Sequence, residues 1–245
     1  MPQPPVFFTD RAELQRDLIP LSGAEGRHAA AARRLRPGAR VDVGDGAGLV
    51  AECVVVAAHP GRGLELAVRA RQELPRPDPV ITVVQAIPKG DRGELAVAEM
   101  TEVGVDRIMP WAAARCVPVW RAERGARSLA RWRATAREAA KQSRRAWIPE
   151  VTEPVLATDV VQVIAKAASA IVLDPGAAQS LGHLRPPESG DLLVIVGPEG
   201  GITGEENAAF RAAGATPRSL GPTVLRTSTA GAVAAAVLLS RSGRW

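Results

Sequence analysis

The sequence is poor in the residues that build metal centres and disulfides. It holds two cysteines and three histidines in 245 residues. Cys53 and Cys116 are far apart and outside any metal-ligand spacing, and His28, His59 and His183 are scattered. No metal site and no disulfide are expected, and a reduced cysteine pair fits a cytoplasmic protein. No apolar run approaches the ~20 residues that span a bilayer, so no membrane segment is expected. The amino terminus MPQPPVFFTDRAELQRD has no cationic start ahead of an apolar core, and no signal peptide is read there. Internal repeats and low-complexity tracts are also lacking. What is present, 46% hydrophobic and 23% charged residues, is ordinary for a soluble chain of one large domain or two of common size.

Charge is unevenly spread. The chain carries a net +5, yet Trp111 to Trp147 alone holds ten Lys or Arg against Glu123 and Glu138, so the remainder is net negative. Four of the five tryptophans lie in the same stretch. Arg133, Arg137, Lys141 and Arg144 recur at helical spacing, with Trp132, Ala136, Ala139 and Ser143 on the opposite face. A solvated charged face normally mixes signs, and this one hardly does, which favours a nucleic-acid contact.

The pattern changes once along the chain. RVDVGDGAGLVAECVVV and LELAVRARQEL read as short strands with a Gly-Asp-Gly turn, and EGRHAAAARRLRPG as a short helix ended by Pro37 and Gly38. LPRPDPV is a stiff connector that cannot lie in a central strand. The expected division is therefore a small β-barrel domain over 1–75 and an α/β domain with a mainly parallel sheet over 80–245. In the latter, VITVVQAI, DRIMPW, AIVLDP and LLVIV are strands and GELAVAEMTEVG is a helix capped by Gly104.

Two loops stand out. LLVIVGPEGGITGEENAAF runs an unalternating apolar strand into Gly-Pro-Glu-Gly-Gly and at once into a helix, with Thr203 and Glu206 as a capping box. The closing segment SLGPTVLRTSTAGAVAAAVLLS brings a strand into Leu220-Gly221-Pro222 and then a helix of small residues capped by Thr227 or Ser228. Loops at the carboxyl ends of parallel strands are where open α/β sheets bind ligands.

The paired stretches VIVGPEGGIT.EE and LGPTVLRTSTA resemble the motifs of SPOUT methyltransferases, in particular the RsmE-type enzymes that methylate a uridine of 16S ribosomal RNA at N3. RHAAAARRLRPG and DGAG are similar to that family's PUA-like barrel, and QAIPKGDRGELAVAEMTEVGV and AAKQSRRAWIPEV to its first catalytic unit and Gln-Ser-x-Arg segment. The resemblance implies a trefoil-knotted carboxyl-terminal domain, S-adenosylmethionine as methyl donor and a homodimer acting on ribosomal RNA within the small subunit. It also implies cofactor contacts at Leu173, at Gly197, Pro198, Glu199, Gly200 and Gly201, and at Leu220, Gly221, Val224, Leu225 and Arg226. Thr223 and Ser228 depart from the family pattern, which has Arg and Glu there.

Methylation at N3 requires removal of a proton, so a base and a cation that stabilises uridine oxygen charge are needed. Position suggests Glu199 and Arg226 for these roles. Gln142, Ser143 and Arg144 are assigned to the target pocket with Lys89 and Arg92 near it, Arg133, Arg137 and Lys141 to phosphates, and Arg33, Arg34 and Arg36 to an extension of that contact on the small domain. The competing expectation is a non-catalytic RNA-binding ribosome assembly factor, which has no need of the two glycine loops.

Overall fold

The computed structural model describes residues 3–31, 35–59, 61–118 and 120–245. The chain forms two compact units, Met1–Arg76 with Ala140–Ile148, and Pro77–Ala139 with Pro149–Trp245.

The first unit is a five-stranded sheet in the order β1-β3-β4-β5-β2, made of Val6–Phe8, Leu18–Leu21, Arg40–Gly44, Leu49–His59 and Gly63–Glu73 as β1 to β5. Only the β1–β3 pairing is parallel. Two short helices, α1 (Arg11–Leu14) and α2 (Gly23–Ala31), complete it. In β4 the alternation of Leu49, Ala51, Cys53 and Val55 points one face into a core with Val41, Val43, Leu64 and Leu66. Asp45 shapes the turn by accepting from the N–H groups of Ala47 and Leu49.

Residues 140–148, expected in the second domain, pack with the first unit instead. The Trp147 indole N–H donates to the carbonyls of Leu74 and Pro75, and its ring lies so close to Gly48 that an added Cβ there would be 2.6 Å from it. Nothing in the local composition of this short stretch fixes which core it joins; that is decided by the groove that the Gly46 and Gly48 turn leaves for Trp147 and Ile148.

The second unit is a six-stranded, wholly parallel sheet in the order β11-β9-β10-β6-β7-β8. Its elements are β6 (Val80–Ala86), α3 (Arg92–Val103), β7 (Arg107–Trp111), α4 (Ala122–Gln142), β8 (Glu150–Val151), α5 (Ala157–Ile164), β9 (Ser169–Leu173), β10 (Asp191–Val196), α6 (Gly204–Ala212), β11 (Thr216–Arg218) and α7 (Thr227–Arg241). The unalternating run in β10 has the cause the sequence suggests: Leu192, Val194 and Val196 enter one core with α3, α4 and α7, and Leu193 and Ile195 the other with α5 and α6. Helix α3 ends on Gly104 at φ 113°, in the left-handed region. The small side chains of α7 let it press onto the sheet; a Cβ on Gly231 would come within 3.2 Å of Val83 and 3.0 Å of the Met100 sulfur.

Strand order runs outward from β6 through β7 to β8, then returns to the other side of β6 with β9 and β10. The carboxyl ends of β6 and β10 therefore flank a topological switch point, where an open α/β sheet leaves a crevice.

Candidate functional site

At those strand ends lies a cavity of about 400 Å3, large enough for a small-molecule cofactor. Its apolar walls include Leu173, Val196, Ile202, Leu220, Val224 and Leu225, and its polar groups come from Arg92, Asp174, Glu199, Arg218, Thr223, Arg226 and Thr227. Of the positions expected at the cofactor, Leu173, Gly197, Pro198, Glu199, Gly201, Leu220, Val224, Leu225 and Arg226 line it together. Gly200 and Gly221 do not. Gly200 faces Arg115, whose guanidinium donates to the Gly200 carbonyl at 3.0 Å, and Gly221 stands clear of neighbours at φ 152°, in the glycine-favouring region.

The first loop is built locally. Thr203 Oγ1 accepts from the Glu206 N–H at 3.2 Å, and Glu206 Oε2 accepts from the Thr203 N–H at 2.9 Å, so the expected capping box starts α6. Glu206 is buried, and its other oxygen takes the Ala114 N–H at 2.8 Å, tying the loop after β7 to α6. Gly201 turns back on the Pro198 carbonyl at 2.8 Å with φ 75°.

The second loop is fastened differently from the sequence expectation. Neither Thr227 nor Ser228 caps α7: the cap residue is Arg226, and it makes no side-chain capping bond. The Thr227 hydroxyl instead donates to the Gly197 carbonyl at 3.1 Å, and the Thr227 carbonyl accepts from Gln85 Nε2 at 3.2 Å. Gln85, Thr227 and Gly197 thus latch the carboxyl ends of β6 and β10 to the start of α7. Sequence reasoning missed Gln85, although a lone amide in the apolar run VITVVQAI was the signal. It also missed Asp174, Arg218 and Thr227, which only the folded loops bring to the cavity.

Arg226 is exposed and has no ion-pair partner among the described residues, so its charge is available at the cavity wall. Glu199 uses one oxygen twice: Oε1 accepts from the Lys89 N–H at 3.3 Å and sits 3.7 Å from the Arg92 guanidinium. Lys89 and Arg92, expected near a target pocket, are therefore beside the cavity, Lys89 on the loop after β6 and Arg92 at the start of α3 and in the cavity lining.

The basic stripe is not a row of free cations. Arg133 donates to the Val151 carbonyl and pairs with Glu153 at 3.0 Å, and Lys141, mostly buried, pairs with Glu25 at 2.7 Å. Arg144, at φ 60°, bonds the Pro4 carbonyl and Asp42. Arg137 is half-buried and also has a partner. Helical spacing placed Arg133, Arg137 and Lys141 on one side of α4, opposite the buried Trp132, Ala136 and Ala139, but Arg144 lies past the end of the helix, and the carboxylates that meet Arg133, Lys141 and Arg144 come from distant sequence. Gln142, Ser143 and Arg144 belong to the first unit, whereas the cavity is lined by the second unit alone. Arg36 is exposed on the first unit; Arg33 and Arg34 lie outside the described residues.

Comparison with known proteins adds the family. Residues 75–239 match an RNA methyltransferase domain, and residues 21–66 match an RNA methyltransferase PUA domain. The chain belongs to this family of RNA methyltransferases. It is 44% identical over 244 residues, 98% of this chain and 93% of the relative, to the ribosomal RNA small subunit methyltransferase E of Mycobacterium bovis. Its structure is similar to that of a Legionella pneumophila methyltransferase solved with bound S-adenosylmethionine, at 28% identity and TM-score 0.85, covering 97% of this chain and 98% of that one. A ribosomal RNA small subunit methyltransferase E from Neisseria gonorrhoeae, also bound to S-adenosylmethionine, gives 26% identity and TM-score 0.79, covering 97% and 98%. The PUA-like domain followed by a SPOUT-type α/β methyltransferase domain, expected from the motifs, is the fold these relatives share with the chain.

Proposed function

We propose that the protein is an S-adenosylmethionine-dependent methyltransferase of the small-subunit ribosomal RNA, acting at N3 of a uridine. The observation that carries the reading is the cavity at the β6/β10 switch point, with apolar walls, carboxylates at Asp174 and Glu199, and the unpaired Arg226. These residues fit the cofactor: the apolar side chains suit an adenine and a methionine chain, and the carboxylates suit ribose hydroxyls and the ammonium. S-adenosylmethionine supplies a methyl group on a sulfonium, and its transfer to N3 leaves a neutral thioether.

The protein's share is orientation and charge. The N3 proton passes to Glu199 Oε2, which has no partner among the described residues while Oε1 is held by Lys89 and Arg92. Arg226 faces the uridine oxygens, where negative charge gathers as N3 is deprotonated. The Gln85–Thr227–Gly197 latch fixes both loops in advance, so little reorganisation accompanies the reaction.

The same reading carries a knotted arrangement of the second domain and action as a homodimer. The apolar composition of α7 is largely satisfied inside the domain: Ala230, Ala234, Ala235, Leu238 and Leu239 are buried. What supports a dimer is the pair Val233 and Ala236, only half-covered. Light scattering at micromolar concentration tests it, and a monomer refutes it.

The test of the activity is mass spectrometry of 16S rRNA incubated with the protein and labelled cofactor, expected to show one 3-methyluridine. Arg226→Ala should slow single-turnover methylation about a hundredfold or more with RNA affinity nearly intact. A normal rate in that variant would remove Arg226 from the chemistry.

A further inference from the structure

A second cavity, of about 490 Å3, opens in the same domain between the loop that leaves β6 and the start of α4. It shares no lining residue with the first, yet the two meet along the segment that leads into α3: Lys89, Asp91 and Gly93 line the second, Arg92 lines the first, and the Lys89 N–H reaches Glu199. Its floor is aromatic. Trp120 and Trp132 stand edge to face with centroids 5.0 Å apart, and Trp132 is pinned by Gly93, where an added Cβ would lie 2.6 Å from the indole nitrogen. Its rim is cationic. Arg131 is occupied by Glu94 at 3.0 Å, but the side chains of Lys89 and Arg124 have no partner among the described residues. The Asp91 carboxylate, which caps no N–H of α3, adds an acceptor.

An indole for a flat ring, two unpaired cations and a carboxylate for a hydroxyl are the groups that recognise base, phosphate and ribose. No lining residue is common to the two cavities, and Glu199 and Arg226 line only the first, so a base on Trp120 and a uridine at those two side chains would occupy separate places. Resting on the methyltransferase reading above, we infer that this cavity holds a nucleotide next to the acceptor in a single-stranded segment of the RNA. Its base packs on Trp120, its phosphate meets Arg124 and Lys89, and its ribose hydroxyl meets Asp91. The contact anchors the strand beside the start of α3 and adds affinity, while the neighbouring uridine is placed by Glu199 and Arg226 themselves.

The experiment measures binding of a short single-stranded RNA containing the methylated uridine to the full chain across a salt series, together with cofactor affinity and single-turnover rate at saturating RNA. Trp120→Ala should weaken RNA binding about tenfold or more, and Trp120→Phe, which keeps a stacking face, should recover most of it. Arg124→Ala, on an exposed helical turn and unable to disturb the core, should weaken binding several-fold and reduce the log–log salt slope by about 0.7. In each variant cofactor affinity and the saturated rate should match the unmodified protein. Unchanged RNA affinity and slope in Arg124→Ala and Trp120→Phe, with no loss in Trp120→Ala, overturns the inference. So does a fall in the saturated rate at constant affinity, which would place the acceptor base here. An unmodified protein that methylates no RNA would instead sink the methyltransferase reading, and this inference with it.

Discussion

Gly197→Ala isolates what the first glycine of the loop contributes. The obvious expectation, that a side chain there intrudes into the cofactor's space, is not what the structure shows. An added Cβ would sit 2.7 Å from Ile202 Cγ1 and 3.4 Å from its Cδ1. Carbon atoms in favourable contact are ~3.5–4.0 Å apart, so Ile202 or the loop must move by most of an ångström. The atom at fault is near the branch of Ile202, which cannot swing away as a chain end would. Overpacking of this kind costs about 1–3 kcal/mol. Ile202 lines the cavity and the loop carries Glu199, so that cost should fall on the binding-competent form, weakening the cofactor about 5- to 150-fold at ~1.4 kcal/mol per decade. Titration calorimetry with S-adenosylmethionine reads it directly. The clash predicts its own suppressor: in Gly197→Ala/Ile202→Ala the offending atoms are gone, and the double variant should bind more tightly than the two single losses predict. Gly221→Ala is the contrast, since its Cβ would meet nothing and only the φ of 152° is strained. An unchanged dissociation constant in Gly197→Ala, or additive losses in the double variant, would refute the steric account.

Three further outcomes follow from contacts already described. Thr227→Val keeps the shape but leaves the Gly197 carbonyl without its donor, which should lower stability by about 1–3 kcal/mol, Tm by several degrees, and cofactor affinity with it; calorimetric scans and titration together check this. Lys141→Ala strands the Glu25 carboxylate in a poorly hydrated place, so it should lower the melting temperature clearly while leaving the salt slope of RNA binding unaltered; a reduced slope would restore Lys141 to the phosphate-binding surface. Burial pushes the Cys53 thiol up to about 11, with Asp42 adding to the effect, so the thiolate is scarce at neutral pH. Iodoacetamide should leave Cys53 unmodified in the folded protein and label it on unfolding, and stability should fall as pH rises from the ordinary thiol range towards 11, because the unfolded chain loses that proton first. Rapid labelling of the native protein at pH 7.5 would contradict the burial.

What could be read from the sequence was what local physics decides. A strand buried on both faces has no alternation, a capping box has fixed spacing, and a helix stop on Gly104 needs a left-handed residue, so β10, α6 and α3 were legible with their loops. The grouping of Gly197–Gly201 with Leu220–Arg226 came from the family resemblance rather than from spacing, and Gly200 and Gly221 stand outside the cavity. The hidden parts are pairings across long sequence distances. Whether Arg133, Lys141 and Arg144 face solvent depends on Glu153, Glu25 and Asp42, and helical spacing is silent about them. The Thr227 hydroxyl was assigned to its own helix, as is usual for a threonine at such a boundary, yet it serves a carbonyl thirty residues away.

That reassignment explains why α7 is built from small residues. The bond from Gln85 Nε2 to the Thr227 carbonyl forms only if the helix start reaches the carboxyl end of β6, and Gly231, one turn further on, is where α7 crosses Val83 and Met100 so closely that an added Cβ would lie 3.0 Å from the Met100 sulfur and 3.2 Å from Val83. A larger residue there would lift the helix and with it the Thr227 hydroxyl from Gly197. The Ala- and Gly-rich face is therefore a requirement of the binding loops, transmitted through one helix. It also fixes the direction of causes: Gln85 and Gly231 act on the cavity through Thr227, so changes at either should loosen the cofactor even though neither lines its site.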